Sequence, residues 1–108
     1  MKNPVLQSIG LVFEKSKESF LDDELFLKLD KDITFLSEYF KTSKTQAFIF
    51  SLVFSLGYTQ RSVDTNDIIN HTQCNPIKLL ELNDDIIELF NRGFFERLKL
   101  TSDFMETT

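Results

Sequence analysis

His71 is the single histidine of the chain and stands three residues before Cys74, its single cysteine. Together they hold most of the metal-binding or nucleophilic chemistry that the sequence offers. The pattern HxxC supplies two ligands where a structural zinc takes four. A Cys/His nucleophile pair is the other reading, but Cys74 falls in the short polar turn TQCN between two helical patterns, where a small side chain ordinarily packs. Both residues therefore read as structural. Among the carboxylates, Asp84 and Asp85 are adjacent, so on a helix they point about 100° apart and do not converge on a substrate. Asp22, Asp23 and Glu24 could attract a metal or a basic partner, but in the first turn of a helix they are favoured by the macrodipole. The glycines are isolated at positions 10, 57 and 93, which leaves no glycine-rich phosphate loop. No catalytic, cofactor-binding or metal-ligating set emerges, and the chain reads as a non-enzyme.

The element that must position anything functional is the stretch from Ser62 to Leu100, SVDTNDIINHTQCNPIKLLELNDDIIELFNRGFFERLKL. Asp64 and Thr65 are N-cap types ahead of a short helix through Ile68 and Ile69, and Asn75-Pro76 opens a second. That second helix carries Leu79, Leu82, Ile86 and Leu89 as an apolar stripe, widened by Leu80, Ile87 and Phe90, and is expected to run unbroken to Arg92 before Gly93 ends it. With a short strand at Val63 and another in FFERLKL, the pattern is a helix-turn-helix with a wing strand.

Upstream, Asn3-Pro4 starts an amphipathic helix whose apolar face is read through Val5, Ile9, Val12, Phe13 and on to Phe20. A short apolar piece, Leu25 to Leu29, follows the acidic cluster. Asp30 then reads as the cap of a third helix through Ile33, Phe35, Leu36, Tyr39 and Phe40. Ser43 and Gln46 form a capping box ahead of an apolar helix from Lys44 to Leu56, closed by Gly57, with Tyr58 to Arg61 as a polar connection. A helix apolar on nearly every side must be covered on every side. The expected architecture is mainly α with a minor β component: residues 1–42 as an N-terminal helical extension packed on a winged-helix-like unit, residues 43–108. Its core is centred on Phe48 to Leu56, with Ile68, Leu79, Ile86, Leu89 and Phe94 around it.

At 108 residues this is one domain, 42% hydrophobic, with 12 phenylalanines and no tryptophan. Lys and Arg total 12 against 17 Asp and Glu, and the acidity is spread: six cations to eight carboxylates in residues 1–42, six to nine in 43–108. No basic half is concealed in the average. The lone cysteine and the lack of a charged-then-apolar leader make the cytoplasm the expected compartment. The longest apolar run, Ala47 to Leu56, is too short for a bilayer.

A helix-turn-helix suggests nucleic acid, because its second helix fits the major groove. Here that helix, Pro76 to Arg92, sets Lys78 and Arg92 against Glu81, Asp84, Asp85 and Glu88, the wrong sign for an element that must neutralise phosphates. Asn75, Lys78 and Asn83 are its base-edge readers. Arg97 and Lys99 on the wing strand are the best positive positions, and two charges are not a basic patch. A protein partner fits better. The candidate contacts with DNA or a partner are Asn75, Lys78, Glu81, Asp85, Arg97 and Lys99; an oligomer is compatible with them, and a membrane is not called for.

The runs FLSEYFKTSKTQAFIFSLVF, SVDTNDIINH, CNPIKLLELNDDIIELFNRG and FFERLK, in that order from about Ile33 to Lys99, resemble the N-terminal winged-helix-like domain of a group of bacterial AAA-type ATPases. The resemblance covers roughly two thirds of the chain and rests on fold-determining positions. It implies a non-catalytic N-terminal module that recruits substrates or organises subunits, with ATP, Mg²⁺ and hydrolysis belonging to a downstream region. No Walker motif is present here to which a nucleotide-site role could be transferred. The alternative is a stand-alone winged-helix transcription regulator.

Overall fold

The computed structural model describes residues 3–59, 62–93 and 99–100, and these form a mainly α domain. Its elements are α1 (Pro4–Ser16), α2 (Asp23–Phe40), α3 (Lys44–Thr59), β1 (Ser62–Val63), α4 (Thr65–Thr72), α5 (Pro76–Glu81), α6 (Asn83–Asn91) and β2 (Lys99–Leu100).

Each helix start has a local cause. Asn3 accepts the N–H groups of Val5 and Leu6 at 2.9 and 3.3 Å, with Pro4 at the first helical position of α1. Asp22 accepts from the Leu25 N–H at 2.9 Å, so the acidic cluster does begin α2, with Asp23 and Glu24 in its first turn. The capping box of α3 is formed: the Gln46 N–H donates to Ser43 Oγ at 3.1 Å and the Ser43 N–H to Gln46 Oε1 at 3.2 Å. A second capping box opens α4, where Asp64 and Asp67 exchange bonds of 3.0 and 2.9 Å.

Four boundaries differ from those expected. Helix α2 runs straight through Asp30, because Leu25, Leu29, Ile33 and Leu36 keep one buried stripe in register across it. Asp30 caps nothing and instead accepts from Lys44 Nζ at 3.2 Å. Helix α1 ends at Ser16, short of Phe20, which lies 65% exposed in the following loop. There the backbone turns left-handed at Glu18, Phe20 and Leu21, at φ of 54°, 62° and 53°, and its N–H groups bond elsewhere. Helix α3 continues past Gly57 to Thr59, with Tyr58 against Phe54 at a ring separation of 6.0 Å. The helix expected to run from Pro76 to Arg92 is two, α5 and α6, broken at Leu82. The Leu82 N–H bonds to the Leu79 carbonyl at 3.0 Å, a 3₁₀-type closure, and the N-terminus-favouring run Asn83-Asp84-Asp85 restarts the helix at once.

The three long helices α1, α2 and α3 pack on one another, and α6 packs on α3. One core runs through all six helices and β1, with Phe48, Val53, Leu36, Leu29, Val12, Val63 and Leu89 fully buried. Ile68, Leu79 and Ile86 join it as expected, while Phe94 lies outside the described residues. β1 and β2 pair in parallel, Ser62 with Lys99 and Val63 with Leu100, and α4 to α6 supply the crossover that parallel strands require. Residues 94–98 of the expected wing strand, and whatever follows Leu100, lie outside the described residues. Among those described, no helix is long and apolar enough to cross a membrane.

Candidate interaction surface

Asn75 uses its side chain to accept the Ile77 N–H at 2.8 Å, so this candidate reader is spent on starting α5. Leu79, Ile86 and Leu89 are buried and Leu82 is partly so; at spacings of three, four and three they face the core. Leu80 does not widen that stripe. It follows Leu79 by one residue, about 100° around the helix, and is 56% exposed; Ile77, one turn earlier, is 62% exposed. Glu81, Asp84 and Glu88 are exposed as well and follow on either side of the break at Leu82.

The two cations of this helix pair are both engaged. Lys78 Nζ lies 3.9 Å from Glu81, a surface pair of small energetic weight. Arg92 donates to the Lys41 carbonyl at 3.1 Å, tying the end of α6 to the C-cap of α2. The carboxylates are less well compensated. Partial burial pushes the Asp85 carboxyl above its usual range; a hydrogen bond from Gln46 opposes this, and the neighbouring charges of Glu88 and Asp84 add to it. Gln46 is itself buried, and its amide also donates to Glu88. One side chain thus closes the α3 capping box and anchors the acidic side of α6. The candidate set is only partly gathered: Lys78 and Glu81 meet, Asp85 sits beside Gln46, the Lys99 backbone pairs with Ser62, and Arg97 lies outside the described residues.

His71 and Cys74 serve the frame. His71 stacks flat on Phe13, centroids 4.2 Å apart and planes 3° from parallel, and its Nε2 lies 2.8 Å from the Phe13 carbonyl and 3.1 Å from Ser16 Oγ. A carbonyl only accepts, so Nε2 carries the proton and satisfies a terminal carbonyl of α1. In return the strained loop after α1 caps α4: the Glu18 and Phe20 N–H groups each donate, at 2.8 Å, to the carbonyls of His71 and Thr72. Cys74 is buried in the core. Among the described residues, no three His, Cys, Asp or Glu side chains gather in a way that could hold a metal ion.

Two features escape the sequence reading. Of the outward pair Ile77 and Leu80, the sequence pattern placed Leu80 in the apolar stripe and did not single out Ile77. A row of rings runs from Phe40 at the end of α2 to Phe50, Phe54 and Tyr58 of α3 at centroid separations of 4.9, 5.6 and 6.0 Å. Phe50 and Phe54 are half-buried and Tyr58 is 82% exposed, so α3 is not covered on every side. A shallow groove between α1 and α2 has Lys15 and Lys28 facing Glu18, Asp22 and Glu24 and presents no dominant charge. Comparison of the chain with known protein families, with curated proteins and with solved structures finds no match.

Proposed function

We propose that this domain is a non-catalytic protein-interaction module that engages its partner through the outward face of α5 and α6. The observation that carries the reading is the exposure of Ile77 and Leu80, 62% and 56%, on the helix that follows the tight turn. A large aliphatic side chain held in water gains by covering, at about 25 cal/mol per Å² of apolar surface buried. A phosphate backbone would meet the same face through Glu81, Asp84 and Glu88, and Lys78 and Arg92 are already turned to partners within the fold. The finer reading is an N-terminal recruiting module of a bacterial AAA-type ATPase, in which ATP and Mg²⁺ belong downstream; its support is the order of features from Ile33 to Lys99.

The test is site-specific photo-crosslinking in the source cells, with a benzophenone side chain at position 77 and, as control, at Leu27, which is 78% exposed on α2. A discrete protein adduct from position 77 alone is the expected result. No adduct, together with salt-dependent binding of duplex DNA by the purified chain, would replace the reading with that of a DNA-binding regulator. The mass of the native polypeptide decides the finer point: a band several times larger than 12.6 kDa supports the ATPase reading, and a band at that mass removes it.

A further inference from the structure

The face formed by α5 and α6 has two ends of different chemistry. Ile77 and Leu80 make an apolar step at its start, and Glu81 of α5 and Asp84 and Glu88 of α6 follow as exposed acids, the last two one turn apart. Each acid has a local use: Glu81 faces Lys78, Asp84 lies in the first turn of α6, and Glu88 accepts from Gln46. None of these uses neutralises the group as a whole. Four carboxylates stand between Lys78 and Arg92, and the neighbouring charges add to the upward push on Asp85. What completes such a surface is a segment that brings apolar side chains at one end and positive charge at the other.

Resting on the protein-interaction reading above, we infer that this face receives a basic amphipathic segment of a partner protein, its apolar side chains on Ile77 and Leu80 and its Lys or Arg side chains on Glu81, Asp84 and Glu88. The apolar contact supplies most of the affinity, and the charges supply orientation and discrimination against acidic segments. A helical segment suits the geometry, because its own i, i+3 and i+4 positions carry both kinds of contact along one side.

The probes are two synthetic amphipathic peptides with the same leucine pattern, one with Lys and one with Glu at every polar position, titrated into the purified full chain and followed by fluorescence anisotropy. The Lys peptide is expected to bind saturably, and the Glu peptide not at all. Binding is expected to weaken by about tenfold or more both in the variant Glu81→Gln, Asp84→Asn, Glu88→Gln and in the variant Ile77→Ser, Leu80→Ser. A matched variant, Glu14→Gln, Glu24→Gln, Glu38→Gln, removes three exposed charges from α1 and α2 and is expected to bind like the parent. Circular dichroism checks that each variant is folded. Equal weakening by the matched variant, or none by either face variant, would show mere attraction to an acidic chain and overturn the inference, as would failure of the Lys peptide to bind. If the Glu peptide binds through Ile77 and Leu80 as well as the Lys peptide does, the basic partner is excluded while the interaction face survives. The crosslinking experiment decides separately whether the face is used.

Discussion

The layer of α1, α2 and α3 and the layer of α4, α5 and α6 place their apolar residues by different rules. The first has helices of 13, 18 and 16 residues, long enough for each to bury a continuous stripe. The second has helices of 8, 6 and 9 residues, too short for a stripe alone to hold them. Asp64, Asp67 and Asn75 supply their caps, and the joins come from the first layer: Gln46 to the acids of α6, Arg92 to Lys41, and the loop after α1 to the end of α4. Both layers leave apolar side chains exposed, Leu27 and Tyr58 in the first and Ile77 and Leu80 in the second. The first layer is held by its stripes, and the second by its caps and joins as well as by its share of the common core.

The largest effect that tests this contrast is at Phe48. Its ring is fully buried and meets Phe26 edge-on at 4.9 Å, so Phe48→Ala is expected to destabilise the chain by about 3–5 kcal/mol. Ile77→Ala, a loss of about half as much carbon but from an exposed position in the second layer, is expected to change stability by less than about 0.5 kcal/mol. Urea unfolding midpoints at unchanged slope measure both. A large loss at Ile77 would mean that its side chain is covered within the fold, and the contrast would fail.

The joins come next. Gln46→Ala removes half of the α3 capping box and the amide that faces Glu88 and Asp85, at an expected cost of about 1–3 kcal/mol. Gln46→Glu separates the two roles: a carboxylate still accepts from the Ser43 N–H, but it repels the acids of α6. If Gln46→Glu is as stable as the parent at neutral pH, Gln46 does not join the layers.

A smaller effect, of opposite sign, is expected at Phe20. Its left-handed backbone, φ 62°, costs a non-glycine residue about 1 kcal/mol or more, and its exposed ring has little packing to lose. Phe20→Gly relieves that strain at the expense of a more flexible unfolded chain, so thermal denaturation should show a gain of at most about 1 kcal/mol. Phe20→Val, β-branched at the same φ, should lower stability.

The sequence made the caps legible because capping is local: Asn3, the Ser43–Gln46 box and Asn75-Pro76 each act within a few residues. The core was legible where a stripe is long, as from Leu79 to Leu89. Asp30 misled because a cap residue type in mid-helix is overruled when the buried stripe on both sides stays in register. The break at Leu82 was hidden for the converse reason: its buried residues keep helical spacing across a change of helix. The partners of Gln46 and His71 lie 42 and 58 residues away, in Glu88 and Phe13, a separation that no periodicity encodes. The outward turn of Leu80 was equally out of reach, since the packing of α5 on α4 and α6 decides which of its sides is inside.

The smallest effect sharpens the electrostatic part of the contrast. The Asp85 carboxyl is pushed above its ordinary value, by burial first and by Glu88 and Asp84 after it, despite the hydrogen bond from Gln46. An acid whose pKa is raised on folding binds its proton more tightly in the folded state, so its ionisation works against folding. The cost is fully present above the folded pKa and is lost as the pH falls through it. Asp85→Asn keeps an acceptor for Gln46 and removes the charge. At neutral pH it should therefore be slightly more stable than the parent, by less than about 0.5 kcal/mol given how much water screens the site. The gain should shrink toward zero as melting is repeated below about pH 4. A gain that does not change with pH would assign the effect of Asp85 to packing, and the second layer would then carry no uncompensated charge at that position.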